Sequence, residues 1–179
     1  MPSPVGHALA GLAAGWLVAG AARDTRALVQ QAAIFGAIAV APDLDLLVGR
    51  HSAETHSLGA AAIVATIALW RRWPVATAGW RVWLAVFLAW TTHPLLDSLG
   101  SDTSVPIGVM AFWPVSREYV QTGLDVFLPI YRRWMLPGFV WHNFIAVLRE
   151  IAILLPITGL AWLMRNRGGG REKRLRSWA

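Results

Sequence analysis

The chain has 179 residues, 56% of them hydrophobic and 15% charged, with a mean hydropathy of +0.49 and a formal net charge of +6. A soluble domain carries about 25% charged residues, so the composition argues against one and for a small polytopic membrane protein. Cysteine is absent, which excludes disulfides and thiolate metal sites. Much of the basic excess lies from Arg165 onward, which reads as topology and lipid contact rather than nucleic-acid binding.

Five apolar blocks follow in chain order, at 5–22, 28–48, 57–70, 80–98 and 143–164. A spanning helix needs about 20 apolar residues, so the third block, being short, reads as partly re-entrant. "MPSPVGH" lacks the positive segment that opens a signal peptide, and the first block is therefore read as a membrane helix. The expected fold is all-α, a polytopic bundle of about five transmembrane helices with an irregular outer-face region. It forms one membrane-embedded domain over 1–164. A basic cytoplasmic tail follows over 165–179, with Gly168–Gly170 as a joint before it.

The connections after blocks one and three, together with the tail, hold eleven of the sixteen Lys and Arg residues. The positive-inside rule then places the C-terminus in the cytoplasm and the N-terminus outside. On that topology all five histidines, His7, His51, His56, His93 and His142, collect at the outer face. Asp43, Asp45 and Asp97 join them there. The topology rests on Arg and Lys alone, so the gathering of histidines is independent of it.

Neutral imidazole and ionised carboxylate are the usual ligands of zinc and related cations. His93 and Asp97 are four apart, which on a helix puts both on one face. Pro94 between them predicts a kink or a fresh helix start, with His93 at the N-cap. Singly, each of these groups reads as loop polarity or a helix stop. Their joint occurrence at one membrane face does not, because ionisable groups at membrane depth are costly and tend to be functional. Glu150 lies deeper in the fifth block, two turns beyond His142. It reads as a ligand, as a carboxylate that orients one, or as the ion-pair partner of a snorkelling Arg149.

The ordered series "GHALAG", "PDLDLL", "RHSAETHS", "HPLLDSLGS" and "FWPVS" resembles the YdjM-like membrane-bound, metal-dependent hydrolases of bacterial inner membranes. The resemblance covers nearly the whole chain to about residue 160. Where that family often has His-Arg-Gly-x-Thr-His-Ser, this chain keeps His51 and Thr55–Ser57 but has Ser52 and Ala53 in place of Arg-Gly. The order of histidines and aspartates is also similar to the zinc-dependent phospholipase C and single-strand nuclease group. That similarity implies metal ligation by His7, Asp43 or Asp45, His56, His93 and Asp97, with His51 and His142 as further positions.

The function these resemblances imply is hydrolysis of a phosphoester in a lipid or lipid-linked substrate at the outer membrane surface. A divalent metal, zinc foremost, would activate water. Asp43, Asp45 and His56 would carry the catalytic step, one aspartate binding metal and the other acting as general base or orienting His56. Membrane lipid is the expected partner. The connection Leu99–Trp141 would roof the site, with Arg117, Arg132 and Arg133 as possible phosphate contacts. The alternative is a non-enzymatic membrane protein, either a metal or proton transporter or an assembly factor. Depth separates them, because a conduit needs ionisable groups through the midplane.

Overall fold

Ser3 followed by Pro4 is a helix start. The Ser3 hydroxyl accepts from Gly6 N at 3.4 Å, and proline fills a first-turn position whose N–H has no helical partner. Helix α1 runs Pro4–Ala19 and stops at Gly20, whose φ of 78° lies in the left-handed region. Asp24 caps α2, Thr25–Val40, by accepting from Ala27 N at 2.8 Å. Pro42 then removes a backbone donor, and the chain tightens into a 3-10 segment, Ala41–Val48, which carries Asp43 and Asp45. A second 3-10 turn, Glu54–His56, leads to Ser57, the cap of α3, Leu58–Trp70. Helices α4, Gly79–Leu99, and α5, Phe139–Arg176, complete the fold. The computed structural model describes residues 1–49, 51–103 and 105–176. The last residues of the basic tail, 177–179, lie outside the described residues.

Helix α1 is central and packs on α2, α4 and α5, while α4 also packs on α2 and α3. Small residues make these close approaches possible. A Cβ on Gly15 would run into the Phe35 ring, and Ala61, Ala65, Ala68, Ala85 and Ala89 are fully buried between helices. Interfaces of this kind are usual where lipid gives no hydrophobic drive and backbones must come close. Leu148, Leu155, Leu160 and Leu163 on α5 are each more than half exposed, a greasy outer face suited to acyl chains rather than water.

The five expected blocks are all helical, but they are not five equal spans. Among the described residues, two helical stretches are long and apolar enough to cross a membrane, Thr25–Leu47 with 23 residues and Phe139–Asn166 with 28. Helices α1 and α3 have 16 and 13 residues, short of the roughly 20 that a span needs. The reason for α3 is visible at its start, where His56 and Ser57 occupy what would be its outer turn. Two other expectations are corrected. Pro94 lies inside an unbroken α4 and His93 is not an N-cap, because tertiary bonds hold His93 in helical geometry. Helix α5 continues through Gly168–Gly170 to Arg176 where a joint was expected.

Glu150 joins the start of α1 to α5. Its carboxylate accepts from Ser3 N at 2.7 Å and from the Ser3 hydroxyl, and it is fully buried. Gly6 leaves the space for it, since a Cβ there would sit 2.7 Å from Glu150 Oε2. Gly6→Ala is therefore expected to cost about 1–3 kcal/mol, the cost of disturbing a buried, charge-assisted bond. A lower melting temperature in detergent checks it; an unchanged one would mean that Glu150 does not anchor α1.

Among its described residues the connection 100–138 contains no helix, and it is tied down by backbone bonds. Leu58 N and Gly59 N donate to Ala111 O and Trp113 O, Met110 N to Ser52 O, and Ser101 N to Phe127 O. It is a fixed roof over one end of the bundle.

Candidate metal centre

Four elements converge beneath that roof. His7 comes from α1, Asp43 and Asp45 from the 3-10 segment after α2, His56 from the turn before α3, and His93 and Asp97 from α4. His7, His56 and His93 are fully buried and Asp97 is 1% exposed, whereas the Asp43 side chain is 20% exposed. Four carboxylate and imidazole side chains buried this deeply need partners of opposite character.

The tightest group is a triangle. His56 Nε2 and His93 Nε2 are 3.0 Å apart, and Asp97 Oδ2 lies 3.4 Å from the first and 3.2 Å from the second. Asp43 Oδ1 faces the same atoms from the exposed side, at 3.8 Å and 3.6 Å. Zinc bonds of about 2.0–2.2 Å at tetrahedral angles place neighbouring ligand atoms about 3.3–3.6 Å apart. The triangle and its fourth corner come close to that spacing.

The tautomers agree with it. His93 Nδ1 donates to Ala39 O at 2.6 Å, which turns a lone pair on Nε2 toward the triangle when the ring is neutral. His56 Nδ1 lies 3.1 Å from Asp45 Oδ2, and the Thr55 hydroxyl donates to that same oxygen at 2.8 Å. A carboxylate behind a histidine in this way fixes its orientation and raises its basicity as a ligand. Two neutral Nε2 lone pairs 3.0 Å apart repel unless something positive lies between them. Burial disfavours a charge on His56, but the facing carboxylates Asp43 and Asp45 outweigh burial and raise its pKa.

Both nitrogens of His7 and both oxygens of Asp97 are buried without completing a hydrogen bond among the described residues. His7 stacks on His93, ring centres 3.8 Å apart, and its Nε2 lies 3.4 Å from Asp97 Oδ1. Buried polar atoms are nearly always satisfied, so this convergence fits a cation. Among the described residues, His7, His93 and Asp97 have ligand atoms close enough to hold one, and so do Asp43, His51 and His56, beside the triangle itself.

The choice between the two early aspartates is made by geometry. Asp45 bonds to Nδ1 of His51 at 3.0 Å and of His56, behind the rings, while Asp43 faces Nε2 of His56 and His93. His51 lies at the mouth, where its Nε2 meets the Arg132 guanidinium at 2.9 Å and Met1 Sδ at 2.8 Å. Two expected residues do not join. Glu150 gives its oxygens to Ser3, and its neighbour Arg149 donates to Asp125 O at 3.3 Å rather than pairing with it. His142 donates to Pro129 O at 2.7 Å and stacks on Tyr131, pinning the roof to α5. Thr55 and the Ala39 carbonyl were missed. Thr55 had a signal, its place beside His56 in "THS"; a backbone carbonyl had none.

A cavity of about 720 Å³ opens onto the cluster, lined by Asp43 and Leu46 and by Ser101, Asp102, Arg132 and Arg133 of the roof. Arg117, the third expected phosphate contact, is not among its lining residues.

The fold and the site together define an all-helical protein with two helices fit to span a membrane and a buried histidine–aspartate cluster at one end of the bundle. The family model for the YdjM inner membrane protein matches residues 1–168, and the chain belongs to that family. No curated protein and no solved structure matches it.

Proposed function

We propose that this chain is a membrane-bound, metal-dependent hydrolase that cleaves a phosphoester of a lipid or lipid-linked substrate, with its site on the periplasmic face and its C-terminus in the cytoplasm. One observation carries the reading. Three buried donor atoms, of His56, His93 and Asp97, stand at metal-ligand spacing, and Asp43, which faces two of them, also lines a cavity. A structural metal site closes all its positions with protein ligands, whereas a catalytic one leaves a position for water or substrate.

In this reading His56, His93 and Asp97 hold a divalent ion, zinc foremost, and His7 orients Asp97 through its other oxygen. The ion supplies a lowered pKa for water and polarises the bond attacked. Asp43, partly exposed on the open side, takes the proton of the attacking water. Asp45 and Thr55 hold the His56 ring in place. Arg132 and Arg133 line the cavity and suit the charge of a phosphate. The reading favours an enzyme over a conduit. Glu150 is engaged by Ser3, and Arg149 by a carbonyl, so neither continues a chain of ionisable groups from the cluster toward the midplane.

The test is metal content by plasma mass spectrometry on the detergent-purified chain, followed by release of nitrophenol from bis-nitrophenyl phosphate with and without chelator. Stoichiometric zinc or manganese with chelator-sensitive release is the expected result. Metal-free, well-folded protein would overturn the reading.

A further inference from the structure

The end of the bundle opposite the histidines carries a second group of buried polar atoms. Arg165 of α5 is only 5% exposed, although the long side chain of an arginine can usually reach water. Its guanidinium carbon lies 4.9 Å from the ring centre of Trp162 and 5.2 Å from that of Trp16 on α1. The two indoles meet edge to face, 5.2 Å apart. Arg165 is thus packed against the bundle rather than standing at the head of a free tail.

The rings partly offset the burial of its charge, but they leave its N–H groups without acceptors. Arg165 Nε and NH1 have no hydrogen-bond partner among the described residues, and neither has the buried Nε1 of Trp16. All three are donors. A buried donor without an acceptor is costly, more so when charged, so two on one guanidinium and a third on the Trp16 indole call for an acceptor with several oxygens and negative charge. Two of them belong to one planar guanidinium, which grips phosphate oxygens in pairs through neighbouring N–H groups.

The surroundings have the same sign. Arg81 reaches the end of α1, its NH1 3.4 Å from where a Cβ on Gly20 would stand. Arg23, Arg71 and Arg72 occupy the connections at this end, and Arg26 the first turn of α2. Asp24, the acidic residue of those connections, caps α2 by accepting from Ala27 N. Next to Arg165 on α5, Leu163 and Met164 are 55% and 54% exposed, so the site borders an apolar, lipid-suited flank. On α1, Trp16 is nine residues from His7, about 13 Å along the axis, which separates this site from the metal centre.

We propose that Arg165, with Trp16 and Trp162, forms a binding site for the phosphate of an anionic phospholipid headgroup. Basic pockets between helices on the cytoplasmic side of a membrane recognise such headgroups through charge and bidentate bonds. The apolar flank favours a lipid phosphate over a free one, because acyl chains can lie along α5 while the headgroup meets the guanidinium.

The full chain in detergent, titrated with phosphatidylglycerol or phosphatidylcholine and read by native mass spectrometry, tests this. Wild type is expected to retain phosphatidylglycerol in preference to phosphatidylcholine, and Arg165→Met to retain about tenfold less of it. Trp16→Phe keeps a ring for packing and removes only the indole donor; it should weaken retention by a smaller factor with the melting temperature unchanged. Metal content should be the same in all three proteins. Competition by millimolar inorganic phosphate would support the phosphate site but assign it to a free anion. Equal retention of the two lipids by wild type, or undiminished phosphatidylglycerol on a folded Arg165→Met protein, would overturn the proposal.

Discussion

His93→Ala combined with Asp97→Ala is expected to abolish stoichiometric metal binding, with apparent affinity falling by more than about a hundredfold. Mutation of groups that merely orient ligands typically costs 10–100-fold, and this pair removes two of the three triangle corners at once. The two residues are one helical turn apart on α4, and Asp97 touches both His56 and His7. Losing both residues therefore leaves the buried His7 and His56 imidazoles without the carboxylate that stands 3.4 Å from each. Folding is the competing explanation of any loss, because His93 also donates to Ala39 O. His93→Gln keeps an amide donor for that carbonyl and supplies the control. A variant that melts like wild type yet holds no metal supports the centre. Equal metal in a well-folded double variant sinks it.

The second large effect separates the two early aspartates. Asp43→Asn is expected to retain metal and to lose about 10²–10⁴-fold in turnover, the usual contribution of a positioned general base. Asp45→Asn should act differently. Its carboxylate lies behind His51 and His56, where the single oxygen of an amide keeps either the His51 bond or those of His56 and Thr55, but not both sides. The expected outcome is metal affinity down by about 10–100-fold, with turnover recovering when metal is supplied in excess. Metal loss in Asp43→Asn would make Asp43 a fourth ligand rather than the base. Indifference of both properties to Asp45→Asn would remove the orienting role.

The helical elements were legible because they obey local rules. Ser3-Pro4, Asp24 and Ser57 stand where capping residues should, and the apolar blocks between them become α1 to α5. Their lengths as membrane spans were less legible. Hydropathy registers apolar residues whether they meet lipid or other helices, and the alanine-rich α3 spends Ala61, Ala65 and Ala68 on helix contacts. Pro94 misled for a related reason. A local preference against helix at the preceding residue is small beside a buried hydrogen bond and close packing on two neighbours.

The sequence by itself determined which groups would gather. His7, Asp43, Asp45, His56, His93 and Asp97 stand at ends of apolar blocks, and the charge bias led to the expectation that those ends share one face. Only the tertiary structure decided what each does. Whether an aspartate stands before or behind an imidazole depends on which ring nitrogen it meets, and that is set by the 3-10 winding after Pro42 and by Ala39 O on a different helix. Glu150 and His142 share the chemistry of ligands, yet one anchors Ser3 and the other Pro129. Arg165 counted in the sequence as one more cation of a tail, until helix packing set it between two indoles. Periodicity and charge assign a residue to an end of the bundle; the partner of each polar atom depends on helix rotations and distances of a few ångströms, which only packing fixes.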